Sequence, residues 1–218
     1  AVLITPRAHN PTGASITRER AEQLEAVLRE FPNVLVMEDD HFSLLATTEH
    51  HSVIPETTYN WAMFRSVSKG LGPDLRMAFV AADKETIKRV NTRLASGMSW
   101  VSRVLQSLVY TCLTTSEVQS SLSQARENCA KRRTMMIEAL SAQGISVWKT
   151  IDGLNVWIPM GEDCQPTVYA LLRKGWLVRP GASFDIDDTT QAIRVSVQNL
   201  DEESARQFAS DLAQVMTK

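Results

Sequence analysis

The chain has 218 residues, enough for one large domain or two small ones. With 44% apolar and 22% charged residues it has the make-up of an ordinary globular protein. Its net charge of −2, from 23 Lys+Arg against 25 Asp+Glu, offers none of the clustered basic charge of a nucleic-acid-binding surface. Cys112, Cys129 and Cys164 are odd in number and far apart, so neither a disulfide framework nor a zinc spacing is read, and a reducing, cytoplasmic setting is expected. No apolar run approaches the roughly 20 residues that span a bilayer, and no membrane partner is expected. The start, Ala1-Val2-Leu3-Ile4, is too short and lacks the basic lead of a signal peptide. It lies inside an apolar strand without a Met, so the chain is expected to be a piece of a longer one, with its N-terminal part missing.

Residues 1–5 predict a buried strand, followed by a Pro- and Gly-punctuated turn. Thr17 is a candidate cap for a helix with Glu19 in its first turn. Leu24, Val27, Leu28 and Phe31 follow at helical spacing as its apolar face, and Pro32-Asn33 stops it. Residues 34–37 form a second apolar strand that ends in three acids, and strand–helix–strand predicts a crossover unit in a parallel sheet. Strands are expected at 64–67 and 77–82, and helices at 84–94 and 102–113, the latter with Val104, Leu105, Leu108 and Val109 on one face. A long helix is expected from 116 to about 142, ended by Gly144. Its polar middle suggests a helix leaving one domain and entering another. Beyond it, strands are read at 146–148, 154–158, 176–179 and 192–197, with helices at 166–174 and 202–216. The chain divides in this reading into 1–124 and a small α+β domain at 125–218. Trp100, Trp148, Trp157 and Trp176 sit in apolar segments and read as core.

Four segments carry chemistry. Lys69 follows a strand in the turn Ser66-Val67-Ser68-Lys69-Gly70, which places it at the sheet edge where open α/β folds bind ligands. An amine there can attack a carbonyl when deprotonated. Ser66 and Ser68 offer hydroxyls and Arg76 a fork of donors, a set suited to a phosphate. Asp39 ends its strand at the same edge, where a carboxylate can pair with a protonated pyridine nitrogen. Asn10, in Asn10-Pro11-Thr12-Gly13, offers an amide to a phenolic oxygen. Arg194, in Ile193-Arg194-Val195-Ser196, is a candidate bidentate clamp for a carboxylate, with Arg179 a weaker rival. Taken singly, a Ser-Lys-Gly turn is most often a solvated loop and Asn-Pro-x-Gly simply a good turn. Glu38 and Asp40 read as solvated or structural acids beside Asp39. His50-His51 and the nearby acids lack an established ligand spacing, so no metal is expected.

The order S-x-S-K-x-x-x-P-x-x-R, an acid thirty residues before the lysine, N-P-T-G upstream and an I-R-V-S run downstream together resemble the pyridoxal-phosphate enzymes of the aspartate aminotransferase fold. The resemblance implies an α/β fold: the C-terminal part of a large mixed-sheet domain at 1–124, and a small α+β domain. It implies pyridoxal 5'-phosphate held as a Schiff base on Lys69, with Ser66 and Arg76 on its phosphate. Asp39 is implied on the ring nitrogen, Asn10 on the phenolic oxygen and Arg194 on a substrate carboxylate. The family usually has a tyrosine two or three residues beyond the acid, where this chain has His41 and Phe42. His41 can stand in as a donor and Phe42 cannot, which puts efficient transamination in doubt. The family's phosphate-binding turn and ring-stacking aromatic are expected before residue 1.

This departure and the Glu-Asp-Asp-aromatic run are similar to the effector domains of bacterial MocR-type (GntR-family) transcription regulators, of the vitamin B6-salvage type. The resemblance implies a homodimer that senses pyridoxal phosphate or an amino compound and reaches DNA through an upstream winged-helix module. The alternative is a class I/II aminotransferase transferring an amino group between an amino acid and a 2-oxo acid. A third reading, a dimerisation module that binds no cofactor, would have no use for Asn10, Asp39, Lys69 and Arg76 together.

Overall fold

Two compact units organise the chain, one of residues 1–7 and 15–125, the other of 8–14 and 126–218. A computed structural model describes all residues except 98–99, 149–151, 162, 188 and 217–218.

The first unit is built on a four-stranded sheet in the order β1 (Val2–Ile4), β2 (Val36–Asp39), β3 (Trp61–Ser66) and β4 (Ala78–Ala82). The first three strands are parallel and β4 is antiparallel to β3. Thr17 caps α1 (Arg18–Arg29), its hydroxyl accepting the Arg20 N–H at 3.2 Å, and the helix makes the crossover from β1 to β2. The buried side of this layer is Ala21, Val36 and Val53, with Val2, Ile4, Leu24 and Leu28 packed against them. Val27 and Phe31, expected on that face, are exposed, because the helix ends at Arg29 and turns a narrower stripe inward. The second strand starts two residues later than the apolar run suggested and takes in Glu38 and Asp39, which the run's acidity had concealed. The third starts three residues earlier, at Trp61, whose N–H donates to Asp83 at 2.9 Å. The same carboxylate caps α3 (Lys84–Ala95) through the N–H groups of Glu85 and Thr86, both at 2.9 Å. A short α2 (Ser68–Leu71) lies between β3 and β4. In α4 (Arg103–Thr114) only Val109 of the expected apolar face is buried, while Val104 and Leu108 are exposed.

The long helix α5 (Ser116–Ala142) supplies residues to both units. In the second unit, β5 (Asn155–Pro159), β7 (Ala192–Ser196) and β6 (Arg179–Pro180) form an antiparallel sheet with β7 central. Alternate residues of its strands, Val156, Ile158, Ile193 and Val195, join Met136 and Leu140 of α5 in one core. Leu171 of α6 (Gln165–Arg173) and Phe208 and Leu212 of α7 (Glu202–Met216) complete it. The expected strand at 146–148 is irregular, and that at 176–179 contributes only Arg179 to β6. Trp157 is buried and Trp176 half-buried, its indole N–H donating to Asp211 at 2.8 Å. Trp100 and Trp148, expected in the core, are exposed. Among the described residues no helix is long and apolar enough to cross a membrane.

Candidate functional site

The carboxyl ends of β2 and β3 carry the first group of residues. The two strands pair in parallel with Asp39 opposite Phe64, so Asp39 and the turn after Ser66 emerge at the same edge of the sheet. Val67 is buried and anchors that turn, while Lys69 is exposed. The Ser66 hydroxyl accepts the Ser68 N–H at 3.2 Å, and the Ser68 hydroxyl donates to the Leu75 carbonyl at 2.9 Å. One arm of Arg76 donates to the Ser68 hydroxyl and to the Pro73 carbonyl, both at 3.2 Å. Ser66, Ser68 and Arg76 are thus brought together beside Lys69, with donors of Arg76 to spare for an anion. Two glycines shape the turn. A Cβ on Gly70 would meet the Leu44 Cβ at 2.6 Å, and Gly72 stands at φ +122°, a conformation open to glycine alone.

The three acids at the end of β2 have three different environments. Glu38 is fully buried; it accepts the Val53 N–H at 2.6 Å and the Ser52 hydroxyl at 2.9 Å, with His50 Nε2 at 3.0 Å. Asp40 is fully buried too. Arg7 reaches it through Nε and Nη2 at 2.8 and 2.9 Å, and Arg65 through Nε at 2.9 Å. Both are structural, clamping the chain on either side of Asp39. Asp39 itself keeps 41% of its side chain exposed, and His41 Nδ1, buried and without a hydrogen bond, lies 3.6 Å from its Oδ2. Asp39 and His41 are therefore neighbours, and Asp39 is the acid of the three whose lone pairs remain available.

The second unit holds Asn10 and Arg194. The turn 8–14 is closed by the Gly13 N–H on the His9 carbonyl at 2.6 Å, and held by the Asp152 N–H on the Gly13 carbonyl at 2.6 Å. From α5, buried Arg133 donates to the Gly153 carbonyl at 2.9 Å and faces Asp152 at 3.7 Å. This support lays Asn10 on the sheet face opposite the apolar core, the face that displays Asn155, Trp157, Arg194 and Arg179. Arg194 Nη1 donates to Asn10 Oδ1 at 2.9 Å, and Asn155 Nδ2 lies 3.4 Å from the same oxygen. With Oδ1 engaged, Asn10 presents its Nδ2 donors elsewhere. The Arg194 guanidinium sits over the Phe184 ring at 5.0 Å, and that ring packs edge-on to Trp157. Burial, then the nearby charge of Arg179, lowers the pKa of Arg194 from its ordinary value.

A model of the family described as aminotransferase class I and II matches residues 1–212. A relative from Salmonella typhimurium, the vitamin B6 salvage pathway transcriptional repressor PtsJ, is 42% identical over 218 residues, which is 100% of this chain and 50% of the relative. The chain belongs to the class I and II aminotransferase family. The HTH-type transcriptional regulator NorG of Staphylococcus aureus is 27% identical over 207 residues, covering 90% of this chain and 46% of the regulator. The chain thus spans about half the length of the curated relatives it matches. Among solved structures, the α-aminoadipate aminotransferase LysN of Thermus thermophilus, crystallised with N-(5'-phosphopyridoxyl)-L-leucine, superposes with a TM-score of 0.83 at 22% identity. That match covers 99% of this chain and 58% of LysN, and it establishes the shared α/β aspartate aminotransferase fold.

The structure adds several participants to which the sequence reading had given no role at the site. Arg7, Arg65, His50 and Ser52 bind the buried acids from distant positions, and Asn155 and Phe184 contact the Asn10–Arg194 pair. None lies in a recognisable motif. The one available signal was the acids themselves: two that are buried at a strand end need partners.

Proposed function

We propose that this chain is the pyridoxal-phosphate-binding effector domain of a bacterial MocR-type (GntR-family) transcription regulator, responding to pyridoxal phosphate itself or to an amino compound. The observation that carries the proposal is the 42% identity along the entire chain to a repressor of vitamin B6 salvage, combined with the presence of Lys69 beside Ser66, Ser68 and Arg76. Residues 1–124 are then the C-terminal part of the large domain and 125–218 the small one. DNA is reached through an upstream module, the parent protein is a cytoplasmic homodimer, and the intact protein should run as a dimer in light scattering.

The residues present fit the cofactor. Lys69 is exposed beside three groups suited to a phosphate, and Asp39 carries an uncommitted carboxylate at the same sheet edge. Once bound, pyridoxal phosphate supplies a ring that withdraws electrons from an attached amino compound. Lys69 would offer the amine for covalent attachment, and Ser66, Ser68 and Arg76 would hold the phosphate by charge-assisted bonds. Asp39, with His41 beside it, would hold a proton on the ring nitrogen. Asn10, whose Oδ1 is taken by Arg194 and Asn155, would offer Nδ2 to the phenolic oxygen. Arg194 binds a ligand carboxylate.

A class I/II aminotransferase is the second reading, favoured by the retention of Lys69, Asp39, Asn10 and Arg194 together. Lys69 would then move the substrate's α-proton as general base. One experiment separates the two: affinity of the full-length protein for the promoter region of its own gene, with and without pyridoxal phosphate, beside an assay for 2-oxo acid from added amino acids. A regulator shows an affinity change of about tenfold in the wild type, lost in Lys69→Ala. Steady 2-oxo acid production with unchanged DNA affinity overturns the regulator reading in favour of the enzyme.

A further inference from the structure

Two arginines face each other on the second unit's sheet. Arg179 of β6 and Arg194 of β7 are directly opposite in antiparallel register, so their side chains leave the same face. Like charges so placed repel and cost stability unless something negative joins them. Among the described residues neither has a carboxylate partner. Arg194 spends Nη1 on Asn10, while its Nε is buried and makes no hydrogen bond. Arg179 is exposed at the sheet edge. The row across the strands is Trp157, Arg194, Arg179, with Phe184 against the central guanidinium, so an apolar wall borders a doubly positive patch.

We propose that Arg179 is a specificity-determining residue: with Arg194 it forms a two-arginine cradle that takes ligands carrying two carboxylates in preference to monocarboxylates. A buried donor without a partner on one arginine and an exposed fork on the other give two separate guanidinium edges, and each fits one carboxylate. Two separated carboxylates, as in a five-carbon dicarboxylic amino compound, use both edges; a single carboxylate satisfies one and leaves the second arginine uncompensated. The lowered pKa of Arg194 beside Arg179 agrees with an anion as the missing partner. The proposal rests on the reading of Arg194 as a carboxylate clamp.

The test is calorimetric titration of the full-length protein loaded with pyridoxal phosphate, using glutarate, butyrate and inorganic phosphate as probes. The wild type should bind glutarate about tenfold more tightly than butyrate. Arg179→Gln should bring the two affinities together chiefly by weakening glutarate, and Arg179→Lys should retain part of the preference. Arg194→Gln should weaken both acids. Equal affinity for the two acids in the wild type, or an undiminished glutarate preference in Arg179→Gln, overturns the role of Arg179. Phosphate competing as strongly as glutarate overturns it too, because the cradle would then take one compact dianion. If Arg194→Gln leaves both acids unaffected, the clamp reading itself has failed, and that failure is seen independently of Arg179.

Discussion

Removing the Asp40 carboxylate should loosen the strand ends that present Asp39 and Lys69. Asp40 is fully buried and compensates two guanidinium groups. The Arg7 side chain is 12% exposed and that of Arg65 45% exposed, so the two would be stranded unequally. Arg65 can turn into water, and by itself its pairing is worth little. Arg7 cannot, although it keeps its bond to the Thr48 carbonyl at 2.9 Å. Losing one partner of a buried ion pair costs about 3–5 kcal/mol; the low end applies because one of the two arginines is half exposed. The expected loss in Asp40→Ala is about 3 kcal/mol, an approximately 100-fold drop in local protection against hydrogen exchange. Amide exchange read by mass spectrometry on the full-length protein should place the drop in β2, β3 and the 41–48 segment. The double change Arg7→Met with Asp40→Leu removes both buried charges and should recover most of the loss. A drop below about tenfold in Asp40→Ala, or a double variant as loose as the single one, would refute the reasoning.

The N-cap of α3 gives a pH-dependent prediction. Burial raises the pKa of Asp83, but hydrogen bonds from Thr86, Trp61 and Glu85 outweigh it and lower the value from 3.8 to about 2. Because the folded pKa lies below the unfolded one, this contribution is complete above about pH 4 and is lost as pH falls through about 2. Asp83→Ala should therefore destabilise α3 and the start of β3 by about 1 kcal/mol at neutral pH, with the difference from wild type shrinking on acidification to pH 2–3, as followed by exchange or urea unfolding. Gly72→Ala meets no steric obstacle but must adopt φ +122°, and should cost about 1–3 kcal/mol in local stability while slowing cofactor attachment at the neighbouring Lys69. An unchanged attachment rate would mean that the turn's conformation is irrelevant to Lys69.

Much of the fold could be read in the chain because its signals were local. Thr17 begins α1 by the capping chemistry expected of it, and α5 runs from Ser116 to Ala142, ending before Gly144 as expected. The failures come from pairing and burial, which no local window contains. Glu38 and Asp39 look like a polar strand terminus, yet they continue β2 because Met63 and Phe64 of β3 pair alongside, with His50 on the buried Glu38 and Arg7 on the buried Asp40 that follows. Residues 146–148 alternate like a strand but lack a partner strand among the described residues. For the candidate site, motif spacing singled out Lys69, Ser66, Ser68 and Arg76, which the structure brings together in one segment. The bond between Asn10 and Arg194 spans nearly the whole chain, and the opposition of Arg179 and Arg194 depends on strand register, so neither could be read before the sheet was known.

The most direct measurement is borohydride reduction of the full-length protein mixed with pyridoxal phosphate, followed by peptide mass mapping, for wild type and Lys69→Ala. A pyridoxyl adduct confined to the peptide containing Lys69, and absent from the variant, is the expected result. An adduct spread over surface lysines, or one that persists in Lys69→Ala, contradicts the assignment of Lys69 as the residue that carries the cofactor.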